Sequence, residues 1–434
     1  MRIGRAKLNT LAVFLLLYYI YMNSMRKLMI PFDKITVPLL LAVSFVAVAV
    51  SAKGKMYMRG NAEKLQCISW LLICVYIVLN SISIFNSLKT GGLIQLFVSA
   101  SMLIFMTGNT EWCDKWLCIS RYFVMLHTAA TIIFSFTPGL YSRFVSFFFA
   151  DNQYDMMRYY SYGWMSGLSG HFSTNGMILG VGLALWFEQA LKLRRNGAAL
   201  KRTIFAAVCI VLILYALVLS SKRGPLFASL LAIAFTYIFA QGKNVGKRIA
   251  ILSLLVVVFA ALYIILLDKL PGLATIANKI ARLENSDAGL LNGRLGLWER
   301  ALELFRENPF FGAGYGSYAV YADETQAITG SAHNYYLQIL AELGILGLVL
   351  YLTAFSSGIL HALKQLKAAR RLGGDSADIC VLSSALEIQI FVIIYSLTST
   401  SLMYYTVLIQ YFLSCAAVRA MRRKLDARKI EAAE

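Results

Sequence analysis

Long apolar runs alternate with short polar segments along almost the whole chain. An α-helix needs about 20 mostly apolar residues to cross a bilayer, so each run predicts a membrane span. The pattern therefore predicts an all-α polytopic membrane protein with about 12 transmembrane helices in a single integral membrane domain, residues 1–434. The predicted spans are residues 8–25, 35–52, 66–86, 91–107, 117–137, 173–191, 203–221, 224–241, 249–267, 335–360, 380–398 and 401–418.

The distribution of Lys and Arg predicts the orientation of these spans. With the N-terminus inside, the inner segments hold 26 of the 41 basic residues and the outer segments hold 14, while Arg121 lies within the fifth span. Because cytoplasmic loops retain Lys and Arg, both termini are expected in the cytoplasm. The basic tail, residues 419–434, is expected to anchor the chain beside anionic lipid.

Two segments on the predicted outer side are too long to be simple turns, residues 138–172 and residues 268–334. The second holds 6 basic and 8 acidic residues, which suits a small helical extracytoplasmic cap between spans 9 and 10. Within it Trp298, Ala301, Leu302 and Phe305 recur at helical spacing. This spacing predicts an amphipathic helix that lies flat on the outer surface.

The amphipathic helix is followed by a proline and a run of glycines. We expect the helix to end near Asn308, because Pro309 lacks a backbone donor and restricts the residue before it. Gly312, Gly314 and Gly316 permit positive φ angles and close backbone approach, either to turn the chain or to admit a ligand. Turning alone is the favoured interpretation.

Composition and missing motifs narrow the range of functions. The 434 residues are 59% hydrophobic and 15% charged, and the mean hydropathy is +0.65. The net charge of +19 comes from short basic clusters between apolar runs, which membrane topology explains better than nucleic-acid binding does. The sequence has no Gly-x-x-x-x-Gly-Lys loop, Gly-x-Ser-x-Gly elbow or His-Glu-x-x-His motif, so a nucleotide-driven reaction is not expected.

Three basic residues are candidates for binding a diphosphate. Lys222 and Arg223 lie in a short outer junction between two spans, where snorkelling to headgroups is the alternative. Arg294 extends the apolar face of the amphipathic helix, where a charge needs an anionic partner. That partner is either a ligand or a carboxylate such as Glu284 or Asp287. A guanidinium suits phosphate because its planar fork grips two oxygen atoms.

His333 is the candidate catalytic residue. It precedes Asn334, a predicted N-cap for the span that starts at Tyr335, and the helix dipole there disfavours an added positive charge. A neutral imidazole at this place can accept a proton from a sugar hydroxyl. Glu342 lies about two turns into the same helix and must face the bundle interior, where it would pair with an arginine or tune His333.

Three further residues are supporting candidates. Arg158 lies among tyrosines that suit sugars, and it is a candidate third phosphate contact, although aromatic belts are equally normal at membrane interfaces. His171 lies at the start of the sixth span, where capping or packing is favoured over chemistry. Trp298 lies on the inward face of the amphipathic helix.

As an ordered set, these residues resemble the O-antigen ligase and O-antigen polymerase superfamily, bacterial integral membrane proteins that assemble surface polysaccharides. The resemblance covers roughly residues 165–355. It is carried by Ser221 to Gly224, by Arg-Leu-Gly-Leu-Trp from Arg294, by the Pro309 to Gly316 run, by His333-Asn334, and by Glu342 to Gly347.

The resemblance implies a fold of about twelve helices with a periplasmic or extracytoplasmic cap over a cavity, in the bacterial cytoplasmic membrane. It implies a donor glycan carried on undecaprenyl diphosphate, a glycan or lipid acceptor, and no nucleotide, metal ion or other cofactor. By this resemblance His333 would act in glycan transfer at the outer face, and Arg223 and Arg294 would hold the donor.

Three functions remain open. A polymerase would join repeat units of an O-antigen, capsule or exopolysaccharide, and it is favoured because the cap is modest and no acceptor-specific domain is visible. A ligase would move the finished glycan to a lipid or another acceptor. A transporter or flippase of the lipid-linked oligosaccharide is the alternative from another class, although transporters tend to place ionisable residues near the bilayer midplane.

Overall fold

In the computed structural model, residues 5–22, 46, 60–81, 90–240, 246, 250, 294–324 and 331–431 are described. The regular structure in these residues is helical throughout, which confirms the all-α fold class. The helices are α1 (Arg5–Tyr21), α2 (Asn61–Ser81), α3 (Thr90–Phe105), α4 (Glu111–Phe136), α5 (Pro138–Phe148), α6 (Gln153–Ser161), α7 (Phe172–Arg195), α8 (Leu200–Leu219), α9 (Arg223–Phe239), α10 (Arg294–Glu307), α11 (Ser317–Glu324), α12 (Tyr335–Arg371), α13 (Ser376–Tyr395) and α14 (Tyr405–Glu431).

Six of these helices, α2, α4, α7, α8, α12 and α13, are long and apolar enough to cross a membrane. Two shorter apolar helices, Gln95–Ile104 and Arg223–Phe239, coincide with two more predicted spans. Helices α1 and α14 also cover most of the predicted spans 8–25 and 401–418. The predicted spans 35–52 and 249–267 lie almost entirely outside the described residues, so the total of twelve stays a prediction.

Helix α13 forms the centre of the bundle. Its apolar residues are spread around the whole helix, which is the pattern of a helix surrounded by other helices. It packs against α7, α9, α12 and α14, and most of its residues are buried. Helix α8 is different, because large apolar side chains such as Phe205 and Val211 are exposed on its surface. Such a surface suits contact with lipid and not with water.

The long helix α12 is broken at Gly344, whose φ of 64° and ψ of −167° are not helical. Before the break, the carbonyl oxygen of Glu342 accepts a hydrogen bond from the backbone N–H of Gly314 at 2.8 Å. After the break, the N–H of Ile345 donates to the carbonyl oxygen of Pro309 at 2.9 Å. The loop that follows α10 therefore satisfies backbone groups that a broken helix leaves without partners.

Two glycines allow this loop to approach α12 so closely. A Cβ atom on Gly312 would overlap the backbone of Glu342 and Leu343, and one on Gly344 would lie 2.6 Å from the backbone nitrogen of Gly312. Gly312, Gly314 and Gly316 all have positive φ angles, which glycine permits at low cost. Turning is thus an incomplete explanation of Gly312, which also permits backbone-to-backbone packing with α12.

The predicted long outer segments are partly helical. Residues 138–172 contain α5, a short 3₁₀ turn (Ala150–Asn152) and α6. In the 268–334 segment the predicted amphipathic helix is present as α10, and it ends at Glu307 as expected. Its buried residues are Ala301 and Leu304, of which only Ala301 was predicted to face inward, while Trp298 is half-buried. That the segment forms an extracytoplasmic cap stays a prediction.

The basic tail continues α14 and forms ion pairs inside the protein. The guanidinium of Arg419 is fully buried, and its Nε lies 2.8 Å from a carboxylate oxygen of Glu63. Near the end of α14, Lys424 and Arg428 both pair with Asp378 on α13, at 2.6 and 2.8 Å. These tail residues hold helices together, so membrane anchoring alone does not describe them.

Candidate functional site

Candidate residues from four separate segments meet where helices begin. His171 caps α7, Lys222 occupies the N-cap position of α9, and Arg223 is the first residue of α9. Helix α10 is described from Arg294, and His333 lies two residues before α12. We call these five residues the basic cluster. The Nζ atom of Lys222 lies 4.4 Å from the ring centroid of Phe172 at the start of α7. Helix N-termini carry partial positive charge, which adds to the charge of the basic side chains.

Electrostatic effects connect the members of the basic cluster to one another. Burial lowers the pKa of His333 to about 4, and the positive charges of Arg294 and Lys222 lower it further. Burial likewise lowers the pKa of His171 to about 4, with contributions from Lys222 and His333. Both rings are therefore neutral at pH 7. A bound anion would raise both pKa values, because negative charge favours the protonated form.

The backbone holds His333 in an unusual conformation. Its φ angle is 49°, in the left-handed region that few residues other than glycine adopt. Its N–H donates to the Ser331 hydroxyl at 3.3 Å, and that hydroxyl is hydrogen-bonded to Thr400 at 3.0 Å. Asn334 caps α12 as predicted, since its Oδ1 accepts hydrogen bonds from the first turn. Hydrogen bonds therefore hold the backbone before and after His333, and this fixes the position of its ring.

His171 has the capping role that the sequence favoured. Its Nδ1 accepts a hydrogen bond from the backbone N–H of Ser173 at 3.1 Å. The neutral ring must then carry its proton on Nε2, which leaves that nitrogen as a donor. The ring also stacks on Phe172, with centroids 4.4 Å apart. His171 therefore combines a cap with a place in the basic cluster.

Arg294 and Arg223 are close enough to affect each other. Burial lowers the pKa of Arg294, Tyr395 acts in the opposite direction, and the charge of Arg223 lowers it again. In the part of the chain that the structure describes, neither arginine forms an ion pair with a carboxylate. The alternative partners proposed for Arg294, Glu284 and Asp287, lie outside the described residues.

A hydrogen-bonded chain links Glu342 to the residue before His333. The carboxylate of Glu342 accepts from the side-chain amide of Gln338 at 2.9 Å. The amide oxygen of Gln338 in turn accepts from the backbone N–H of Ala332 at 3.3 Å. Trp298 completes this support, because its Nε1 donates to the carbonyl oxygen of Ala332 at 3.1 Å. Glu342, through Gln338, and Trp298 thus both support the backbone of Ala332, the residue before His333.

Arg158 lies apart from the other candidates. Its guanidinium is about half exposed and pairs with Asp155 at 2.9 Å. It lies over the rings of Tyr154 and Tyr159, and Tyr159 in turn contacts His171 at a centroid distance of 5.4 Å. Arg158 and Tyr154 also line an open groove of about 620 Å³. The structure therefore places Arg158 next to the basic cluster and not within it.

Sequence reasoning missed three polar residues of this region. Gln338 connects Glu342 with Ala332, Thr400 supports Ser331, and Tyr395 lies close enough to Arg294 to affect its pKa. Gln338 lies four residues before Glu342 on one helix face, a spacing that would have identified it. Thr400 and Tyr395 are distant in sequence, so only the packed structure brings them to the site.

Comparisons with known proteins find a family model that matches part of this chain. Residues 208–352 match the sequence model of a family described as O-antigen ligase, which confirms the resemblance drawn from the sequence. An uncharacterized protein of Haemophilus influenzae is 24% identical over 197 residues, or 42% of this chain and 48% of that protein. The match thus spans about half the length of that relative. Together with the apolar helices, the family match indicates a bacterial membrane protein.

Proposed function

We propose that this chain transfers a glycan at the outer face of the cytoplasmic membrane from a donor carried on undecaprenyl diphosphate, because residues 208–352 match the model of a family described as O-antigen ligase. The favoured reaction is the joining of repeat units of a surface polysaccharide. The acceptor is then a second lipid-linked glycan. The protein would act without a metal ion or cofactor.

The observation that carries this proposal is the convergence of the basic cluster with helix N-termini. A diphosphate needs several positive groups and hydrogen-bond donors directed at one place. Lys222, Arg223 and Arg294 supply positive charge, and the starts of α7, α9 and α12 supply partial positive charge. The half-burial of Arg294 strengthens its interaction with an anion, because water screens it less.

In the proposed reaction, a ring nitrogen of His333 accepts the proton of the acceptor hydroxyl. The hydroxyl oxygen forms a bond to the anomeric carbon of the donor sugar, and the bond from that carbon to the phosphate oxygen breaks. The lipid diphosphate leaves with the bonding electrons and one more negative charge, which Arg223 and Arg294 stabilise. The imidazolium of His333 then releases its proton to water.

Before the donor binds, His333 would be neutral, and donor binding would change its basicity. With a pKa of about 4, the ring is ready to accept a proton but is a weak base. The bound diphosphate brings negative charge close to Arg294 and Lys222, the two cations that lower this pKa. Donor binding would therefore make His333 a stronger base at the moment when the acceptor arrives.

The remaining candidates have supporting roles in this proposal. Asn334, Trp298 and Glu342 would hold the segment that carries His333. His171 would donate from Nε2 to a phosphate or sugar oxygen. Arg158, together with Tyr154 in the adjacent groove, would contact the glycan portion of the substrate.

Ligation is the second candidate function, because the matching family is described as O-antigen ligase. Both reactions use the same donor and release the same lipid diphosphate, and they differ only in the acceptor. Transport of the lipid-linked glycan is the alternative from another class. It would require no new glycosidic bond.

The test incubates the purified protein in detergent with undecaprenyl-diphosphate-linked repeat units and follows both products by gel and mass spectrometry. A ladder of longer glycans with stoichiometric release of undecaprenyl diphosphate supports polymerisation. A single transfer that occurs only with an added lipid acceptor supports ligation. Movement of a fluorescent lipid-linked sugar across vesicles, without any new bond in either assay, contradicts the proposal and favours transport.

A further inference from the structure

A second basic site lies at the far end of α12 from His333. It is a groove of about 520 Å³ formed by the last third of α12 and the end of α14. Helix α12 begins at Tyr335 beside the basic cluster and ends at Arg371, so the two sites are at opposite ends of a membrane-spanning helix. The lining residues are Leu360, Leu363, Lys364, Lys367, Ala368, Arg371, Leu372 and Lys429.

The charge in this groove has one sign. Lys364, Lys367 and Arg371 are exposed, and none of them forms an ion pair with a described carboxylate. Lys429 has an acidic neighbour, since its Nζ lies 3.4 Å from a carboxylate oxygen of Asp426. In contrast, Lys424 and Arg428 at the same end of the protein share Asp378. The groove therefore presents three positive charges that are not paired with carboxylates in the described part of the chain.

The basic residues continue an apolar stripe on the same helix. Ile345, Val349, Leu352 and Leu360 are exposed and recur at intervals of three to eight residues, which places them on one face of α12. Lys364, Lys367 and Arg371 extend that face toward the end of the helix. Over the roughly 16 Å between Leu360 and Arg371, the surface changes from mostly apolar to strongly basic.

An apolar stripe followed by basic residues on one helix face matches the shape of a phospholipid. A phospholipid has acyl chains that lie along an apolar helix face and a phosphate at the level where the face becomes basic. A soluble phosphate would use the cations and leave the leucines exposed. An acidic peptide would need no apolar stripe that runs toward the membrane centre. The combination of stripe and cations therefore favours a lipid.

We propose that the groove between α12 and α14 binds the headgroup of one anionic phospholipid, with an acyl chain on the apolar stripe of α12. Lys364, Lys367 and Arg371 hold the phosphate, and Leu360 contacts the start of the chain. The site is independent of glycan transfer, because it uses none of the residues of the basic cluster.

The test is a native mass spectrometry titration of the full-length protein in detergent with phosphatidylglycerol, and with phosphatidylcholine of the same acyl chains. The triple variant Lys364→Gln, Lys367→Gln, Arg371→Gln should bind phosphatidylglycerol at least about tenfold more weakly. The matched control is Arg194→Gln, Lys201→Gln, Arg202→Gln, which removes the same charge from exposed positions near the junction of α7 and α8. This control should bind like the wild type.

Three results would overturn the proposal: equal binding of phosphatidylcholine, equal weakening by the control, or no weakening in the triple variant. Glycerol phosphate in large excess should not displace the lipid, and displacement would show a soluble anion site instead. If the triple variant does not fold, the single variants Lys364→Gln and Arg371→Gln serve, each with an expected weakening of about fivefold. Unchanged affinity in both would contradict the assignment.

Discussion

The indole Nε1 of Trp298 donates a hydrogen bond to the carbonyl oxygen of Ala332, the residue before His333, at 3.1 Å. Trp298 lies on α10, in the predicted outer segment 268–334. Ala332 lies just before the start of α12. This bond therefore fastens α10 to the segment that presents the proposed base. Arg294 lies one turn earlier on α10, so the same contact sets its position relative to His333.

Replacing Trp298 with Phe removes this hydrogen bond and keeps an aromatic ring. We expect kcat for glycan transfer to fall roughly three- to tenfold, which corresponds to the usual net value of one hydrogen bond. Donor binding should change little, because no phosphate-binding group is removed. Steady-state kinetics with the lipid-linked donor measures both quantities. An unchanged kcat would mean that the contact does not position His333.

Substitution of Arg223 or Arg294 should lower kcat/KM far more than substitution of Arg306, an exposed arginine on the same helix as Arg294. Changing either to Ala should lower kcat/KM by about 10²–10³, because a donor that stabilises the leaving group is lost. Lys at either position should recover only part of the activity, since an ammonium cannot grip two oxygens in one plane. Arg306→Ala is the control, because Arg306 is exposed on the same helix as Arg294. Normal turnover by both alanine variants would remove the two arginines from the mechanism.

The pH dependence of transfer follows from the lowered pKa of His333. The free protein should keep full kcat/KM down to about pH 5 and lose it near pH 4, where the ring becomes protonated. The acid limb of kcat should lie at higher pH, because the bound diphosphate raises the pKa. Lys222→Gln removes a positive charge near His333 and should move the kcat/KM limb upward. A limb near pH 6.5 in the wild type that Lys222→Gln leaves in place would contradict this account.

The two histidines should also make folding stability sensitive to acid. In the unfolded chain His171 and His333 gain protons near pH 6.5, whereas in the folded protein they do so only near pH 4. The unfolded state therefore binds more protons between these values, and the free energy of unfolding should fall as the pH drops through this window. Thermal unfolding in detergent at pH 7 and pH 5 measures the effect. The double variant His171→Gln, His333→Asn should lose less stability over this range.

Gly312 and Gly344 should not tolerate a methyl group. Both have positive φ angles, and a Cβ on either would overlap backbone atoms of the other segment. We expect Gly312→Ala or Gly344→Ala to lower the free energy of unfolding by roughly 2–4 kcal/mol or to prevent assembly. Gly296→Ala is the matched control, because no atom lies within 4 Å of its added Cβ. That control should be neutral or stabilising by up to about 1 kcal/mol. Equal thermal stability of all three variants would contradict the close backbone packing of Gly312 against α12 at Gly344.

Much of the helical fold could be predicted from the sequence, because lipid requires long apolar helices and every such run leaves a visible signal. The end of α10 at Glu307, the Asn334 cap and the positive φ angles of the glycines were also predictable, since each depends on a few neighbouring residues. The number of spans stays a prediction, because two of the runs fall almost entirely outside the described residues.

The assembly of the candidate site could not be predicted in the same way. The sequence identified His333, Arg294 and Arg223 one by one, but their mutual distances depend on how helices far apart in the chain pack. The close approach of Gly312 to Gly344 was invisible for the same reason. Leu304 was missed because the inward face of α10 is set by contact with α12 and not by hydrophobicity alone.

The most direct test of the central claim compares wild type with His333→Gly and His333→Asn in the assay with undecaprenyl-diphosphate-linked repeat units. Gly and Asn tolerate the left-handed backbone at position 333, so both variants should fold and run normally in gel filtration. The account predicts a glycan ladder from the wild type, a loss of about 10²–10⁴ in rate for both variants, and partial recovery of the Gly variant with added imidazole. A normal ladder from either variant would contradict the role of His333 as the base.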